Sequence, residues 1–443
     1  MFAYYFQLGL RSLRRNPALT ALMVMAIGFG VAASMITYSV FRAVSGNPIP
    51  DKSAQLFTPQ VDSWGPQQNL KGGEPPNALD YVDAMALLHA HAAKRQTLLY
   101  PVQLAVMPDA SHELPLNVGG YAVDDDFFAM FEVPFRYGGG WGALDDDARA
   151  ADVVISTELN QKLFGGANSV GRTVNLSGHD YRVVGVASHW NPNPRFYDLF
   201  STNGFAGLGE LSGEPDFYLP VTRALDLHMY TAGSNSCRGA LSYISWAEYT
   251  QSTCVWITPW VELDSAAEVA SYHAFLTHYA AEQQHAGRFN WAPNVRLRDV
   301  AQWLDYQQVV PPESRISLAV ALGFFLICLV NTIGLLLAKF MRRAGEIGVR
   351  RALGATRGEI YAQYLTEAGT VGLAGGLLGL LLTAVGVSGV GILFQPEIAQ
   401  LARLDFSLVG LTLVVAIVAT VLAAFYPAWR AAHVQPAWQL KSS

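Results

Sequence analysis

Charge is what this chain of 443 residues has least of. Asp, Glu, Lys and Arg make up 14% of it, and its mean hydropathy is +0.22. An ordinary soluble enzyme is more polar than that, and a chain lying wholly in a bilayer is less so. The signatures of several chemistries are missing too. There is no G-x-S-x-G elbow and no H-E-x-x-H pair, so neither serine nor zinc hydrolysis is indicated. The acidic runs 124–126 and 145–147 lack the alternating ligand spacing of an EF-hand and read as solvated turns. His89 and His91 point to different sides of a helix, and the spacing of His273, His278 and His285 does not gather them on one face. The nearest approach to a nucleotide loop is Gly166, Gly171, Arg172 and Thr173, where Arg stands in place of the phosphate-binding Lys. The chain therefore reads as no enzyme, with no cofactor and no metal of its own.

What it does contain is long uncharged sequence. The windows 18–41, 316–338, 368–394 and 406–428 hold no charged residue, and each exceeds the roughly 20 residues a helix needs to cross a bilayer core. A central charge costs about 2.5–3.5 kcal/mol there, so all four are read as transmembrane helices. The first window is longer than the roughly 7–15 residue core of a cleaved signal peptide, which favours a retained anchor.

The charges that remain are sorted by segment. Arg11, Arg14 and Arg15 precede the first window. Lys339, Arg342, Arg343, Arg350, Arg351 and Arg357 lie between the second and third, and Arg430 and Lys441 follow the fourth. Segment 44–315 carries net −14 and the rest of the chain +8. The positive-inside rule places both termini in the cytoplasm and the acidic segment outside. Of three cysteines, Cys328 falls in the second window, and Cys237 and Cys254 fall in the external segment. An oxidising compartment permits a disulfide there, worth about 3 kcal/mol; the alternative is two buried free thiols.

The fold expected is an α-helical membrane domain of four helices plus a large mixed α/β domain inserted between helices 1 and 2. The layout is an amphipathic cytoplasmic helix at 1–17, spans at 18–43, 316–340, 361–394 and 406–428, the external domain at 44–315, a cytoplasmic helical region at 341–360, a short external loop at 395–405 and a tail at 429–443. In the external domain "ADVVIS", "DYRVVGV", "CVWITPWVEL" and "NVRLRDV" read as strands. "TELNQKLFG" reads as a helix capped by Ser156 or Thr157, and a long helix opens after Asp264 and ends at Gly287. A matching unit is expected around "NALDYVDAMALLHAHAAKR", so that chain from both ends of the segment builds the domain. The centre, about 188–252, has too little periodicity to assign.

The loop at 346–360 is too well punctuated for a linker. The second span is expected to run on through "AKFMRRAGEIGVRRALG", with Glu346 four residues ahead of Arg350. Val349, Ala352 and Leu353 form an apolar stripe beside Arg350 and Arg351, Gly354 stops the helix, and Thr356 with Glu359 forms a capping box for the next one. Positive-inside ballast needs charge but neither cap nor stripe, so a docking surface is the better reading. The third span repeats glycine at Gly372, Gly375, Gly376 and Gly379, a pattern suited to close packing against a helix of the same chain or of a second one. Glu367, at the mouth of that span, reads as interfacial.

"GEIGVRRALGATRGEIYAQYLTEAGTVGLAGGLLGLLL", "YPAWRAAHVQPAWQLK" and "LGLRSLRRNPALTALMVMAIGFG" together resemble the FtsX-like permeases of ABC transporters. "VVISTELNQKLFGGANSVGRTVNLSGHDYRVVGV" resembles the periplasmic core domain of MacB-like permeases. The resemblance covers both membrane ends and about half of the external domain. It implies a multi-pass protein of a bacterial inner membrane with its large domain in the periplasm. It further implies a second permease chain, identical or paralogous, and cytoplasmic ABC ATPase subunits that bind the ATP. A periplasmic adaptor protein and membrane lipids are expected partners, and nucleic acid is not. Glu346, Ile347, Val349, Arg350, Arg351, Leu353 and Gly354 would form the helix that couples to the ATPase. The function implied is export of a peptide, antibiotic or lipid-like compound from the periplasmic side by mechanotransmission. The alternatives are a regulator of cell-wall hydrolases driven by a partner ATPase, or a membrane sensor.

Overall fold

The computed structural model describes residues 16–68, 70, 72–106, 115–200, 214–238, 245–309, 312–393 and 406–433. Nearly all of the helix expected at 1–17, the loop at 395–405 and the tail from 434 onward lie outside the described residues. The chain divides into two compact units, Met1–Ser45 with Val310–Ser443, and Gly46–Val309.

The first unit is helical. Pro17–Ser45, Pro312–Met341, Arg357–Leu393 and Phe406–Ala432 each contain a stretch long and apolar enough to cross a membrane. Their inner faces gather Met23, Ile27, Val31, Leu336, Val371 and Ala416, while Leu322, Ile327, Leu381, Val385, Val414 and Val418 point outward and stay exposed. Apolar side chains on both the inside and the outside are what a hydrocarbon solvent selects, since it offers no reason to hide Leu. The buried hydroxyls of Thr383, Thr412 and Thr420 donate to the carbonyl four residues earlier and so are themselves satisfied.

The glycine pairs of the third helix serve two different partners, both within the chain. A Cβ on Gly372 or Gly376 would come within 3.0 Å of Ala416 or Thr420 atoms of the fourth helix. On Gly375 it would lie 2.7 Å from Ile27, and on Gly379 3.2 Å from Val31, both on the first helix. One spacing thus seats the fourth helix and the other the first.

The second unit is built on one ten-stranded sheet. Its strands are β1 Leu56–Val61, β2 Arg95–Val106, β3 Leu116–Val123, β4 Phe135–Gly138, β5 Asp152–Ser156, β6 Thr173–Leu176, β7 His179–Ala187, β8 Phe217–Pro220, β9 Thr258–Glu262 and β10 Val295–Asp299. The order is β10-β1-β9-β2-β3-β8-β5-β7-β4, with β6 beside β2 and β7. β1, helix Tyr81–His89 and β2 interleave with β9, helix Ala266–His285 and β10, all neighbours being antiparallel. This is a split βαβ pair, so the two ends of the segment do share one half of the sheet. Alternate residues feed opposite faces: Leu98, Tyr100, Val153, Ile155 and Phe217 on one side, Leu99, Tyr121, Val154, Tyr218 and Trp260 on the other.

The centre that resisted assignment contributes β8, parallel to β3 and antiparallel to β5, with helices Val221–Asp226 and Trp246–Gln251. Four residues buried on both faces leave no alternation to detect. The nucleotide-loop lookalike is a turn. Helix Thr157–Phe164, capped by the Ser156 side chain, ends on left-handed Gly165, and the chain swings through Gly171 into β6.

Candidate functional site

The second spanning helix does not run on as its sequence suggests. It stops at Met341, and a separate helix, Ala344–Ala352, follows. Between them Arg343 N–H turns back to the Phe340 carbonyl at 3.0 Å, and Arg343 sits at φ −101°, ψ 13°, outside the helical basin. The third helix supplies a carboxylate at this break. Glu367 Oε1 lies 2.9 Å from Lys339 Nζ and its Oε2 lies 3.2 Å from Arg343 Nη1, with Lys339 fully buried and Glu367 nearly so. Glu367 is therefore a buried ion-pair partner of the end of the second helix, a role that its own neighbourhood of sequence does not show.

The short helix is fastened on one face and open on the other. Ala344, Ile347 and Gly348 are buried, with Ile347 in the cluster that holds Ile360 and Tyr364. Ile347 is thus the foot that fastens the helix, and the exposed face is carried by its neighbours. Arg350 donates to Gln363 Oε1 at 2.9 Å and to Glu346 Oε1 at 2.8 Å. Val349 is 57% exposed and Leu353 84%, with Arg351 half-buried and Gly354 exposed beside them. Gly354 has φ +102°, a conformation that ends the helix at little cost only for glycine. Two residues later Thr356 N–H donates to Glu359 Oε2 at 2.9 Å and Glu359 N–H donates to Thr356 Oγ1 at 3.2 Å, opening the third helix. Lys339 and Gln363 belong to this arrangement although sequence reasoning passed over them. The four-residue spacing of Lys339 and Arg343 was the available signal.

In the α/β unit Cys237 and Cys254 are joined by a disulfide. The two acidic runs are not solvated turns. Asp124 and Asp146 are buried, Asp124 accepting from Leu98 N–H at 2.7 Å and Asp146 from Asp125 N–H at 2.7 Å and Trp141 Nε1 at 3.2 Å. Burial pushes the Asp124 carboxyl well up and the Asp146 carboxyl to about 6. A second buried set joins Asp80 and Asp83 to Arg288, with Tyr279 donating to Asp83 at 2.6 Å. Among the described residues no group of His, Cys, Asp or Glu is arranged to hold a metal ion.

Known proteins resemble this chain in sequence. The family model for the MacB-like periplasmic core domain matches residues 20–271, and that for the FtsX-like permease C-terminal region matches 318–436. The pyoverdine export ATP-binding/permease protein PvdT of Pseudomonas aeruginosa is 25% identical over 443 residues, an alignment that covers 96% of this chain and 56% of that protein. The macrolide export ATP-binding/permease protein MacB of Pasteurella multocida is 22% identical over 429 residues, covering 94% and 57%. The chain thus spans little more than half the length of these curated relatives. The crystal structure of the periplasmic region of MacB from Actinobacillus actinomycetemcomitans covers 58% of this chain and 94% of its own at 13% identity, with a TM-score of 0.35 that adds no weight. On the two family models, the first of which alone takes in more than half of the sequence, this chain belongs to the FtsX-like permeases that carry a MacB-like periplasmic core domain.

Proposed function

We propose that this chain is the permease subunit of an ABC transporter in a bacterial inner membrane, driven by ATPase subunits on separate chains and exporting a peptide, antibiotic or lipid-like compound from the periplasmic side. ATP binds those partners and none binds here. Both termini and the 341–360 region face the cytoplasm, the α/β unit faces the periplasm, and two permease chains pair, with an adaptor protein outside. The names of the relatives, which join ATP binding to export of pyoverdine or macrolide, support this class of work.

One observation carries the reading. Helix Ala344–Ala352 is anchored by Ile347, Arg343 and Arg350, yet it turns the large apolar residues Val349 and Leu353 into solvent beside Arg351. A fixed helix presenting an apolar pair with a cationic rim is a protein-docking surface. Closure of the ATPases pushes on this helix, and the second spanning helix, which the α/β unit joins through the chain near residue 310, carries the displacement outward.

Affinity purification from native membranes in mild detergent tests the partner. A nucleotide hydrolase should accompany the chain, and Val349→Asp with Leu353→Asp should lower its stimulated ATPase rate at least tenfold while insertion is unchanged. A normal rate in that variant would remove the docking surface.

A further inference from the structure

Glu367 lies ten residues beyond Arg357, the first residue of the third spanning helix, or about 15 Å along its axis, and eight beyond Glu359, at the edge of the uncharged run 368–394. An ionisable group at such a place is expensive, and a buried ion pair is weak evidence for stability, since apolar residues of like volume usually serve as well. Its partners show what it is for. Lys339 is in the last turn of the second helix, and Arg343 forms the break that follows. One carboxylate therefore holds both sides of the only interruption between the second helix and the short helix at 344–352, among the described residues. Phe340, between the two cations in sequence, packs on Tyr364 with ring centroids 4.3 Å apart, so an apolar contact closes the same corner. Arg350 to Gln363 makes a further tie one turn on. Without the carboxylate, the turn at Arg342 and Arg343 would lose both ion pairs and keep its backbone hydrogen bonds to Ala338 and Phe340 and the ring contact.

We infer that Glu367 is a positioning residue: with Lys339 and Arg343 it locks the bend after the second spanning helix, so that a push on the exposed face of helix 344–352 displaces that spanning helix instead of folding at the break. The inference rests on the coupling role proposed above, and its test separates the two.

Spin labels are placed at Leu353→Cys and Leu381→Cys in a Cys328→Ser background, both original side chains being exposed. The full chain is reconstituted in lipid nanodiscs with unlabelled chain in excess, and the distance distribution is measured by pulsed electron resonance. The parent should give one narrow distance. Glu367→Gln should at least double its width, and Glu367→Asp, which keeps the charge, should restore most of the sharpness, as no merely space-filling role would require. If Glu367→Gln does not fold, Arg343→Gln decides, since it leaves Lys339 on Glu367 and releases only the break; it too should double the width. An unchanged width in Arg343→Gln would overturn the lock. A second readout takes the copurified ATPase, whose stimulation by Arg343→Gln chains should fall at least tenfold. Broadening with full stimulation would overturn the coupling role and leave the lock standing, and lost stimulation without broadening would overturn the lock itself.

Discussion

Glu367 and the pair Asp80 and Asp83 are all shut away from water, yet they are balanced in opposite senses. Glu367, in the helical unit, faces two cations, Lys339 and Arg343. Asp80 and Asp83, in the α/β unit, are both fully buried and share Arg288 alone. The first carboxylate meets two cations, and in the second pair Asp80 holds its proton more tightly. Burial raises the Asp80 carboxyl from its ordinary 3.8 to about 7, the Asp83 charge adds to the rise, and Arg288 offsets only part of it. Family membership alone would not reveal this division: the helical unit holds its charge by geometry, and the α/β unit holds part of its charge by pH.

The largest effect that could break the comparison comes from removing Arg288. Arg288→Met strands two buried carboxylates and should cost about 3–5 kcal/mol at pH 8, read from denaturant unfolding of the full chain. Tryptophan fluorescence reports on the right unit, because Trp429 and Trp438 are the only members of the ten outside 46–309. The penalty should shrink as pH falls. A carboxyl whose folded-state value is raised contributes stability that is complete below about 3.8 and lost as pH rises through about 7, so the unaltered protein should also gain stability between pH 8 and pH 5. Glu262 runs the other way. Burial raises it, but Arg95, Lys52 and Lys94 outweigh burial and hold it below 4.5, so its contribution fades only in more acidic solution. A penalty for Arg288→Met that is equal at pH 8 and pH 5.5 would show that Asp80 draws no proton.

Much of this layout was legible in the sequence. The four spans were, because uncharged runs need no partner to be recognised. The capping box of Thr356 and Glu359 was, because its signal is three residues long. The long helix after Asp264 and the strands beside it followed from period and punctuation. What could not be read was everything that depends on a partner far along the chain. Asp124 and Asp146 look solvated until the fold brings their two runs together. Glu367 shows no partner until Lys339 and Arg343 arrive from the end of the second helix. Gly372 and Gly375 look like one motif until neighbouring helices take opposite sides. Ile347 and Val349, two apart on one short helix, look alike until one is buried and the other is not.

The covalent staple sharpens the contrast between units at a smaller scale. Cys237 and Cys254 close a loop of sequence separation 17 in the α/β unit, while Cys328 of the helical unit is free. Reductant, or Cys237→Ser with Cys254→Ser, should lower the stability of the α/β unit by about 3 kcal/mol and leave the helical unit unmoved. A mobility shift on non-reducing gels that needs both cysteines checks the bond directly. Equal loss in both units would mean that they unfold as one.

The smallest effect uses a motif the two units share. Ser245 with Glu248 and Thr356 with Glu359 each form a reciprocal capping box. Ser245 opens a helix of only six residues, whereas Thr356 opens one of 37 that packs on both the first and the fourth helices. A helix too short to sustain itself depends on its cap, and one held by packing along its length does not. Each cap is worth about 1 kcal/mol, so Ser245→Ala should speed amide exchange across 246–251 by about five-fold. Thr356→Ala should speed exchange only in the first turn, 357–360, with the midpoint of global unfolding unchanged. If Thr356→Ala instead loosened the third helix beyond Tyr364, that helix would owe its order to its start, and the packing of Gly372 through Gly379 would be a consequence of the cap and not the cause of the fold.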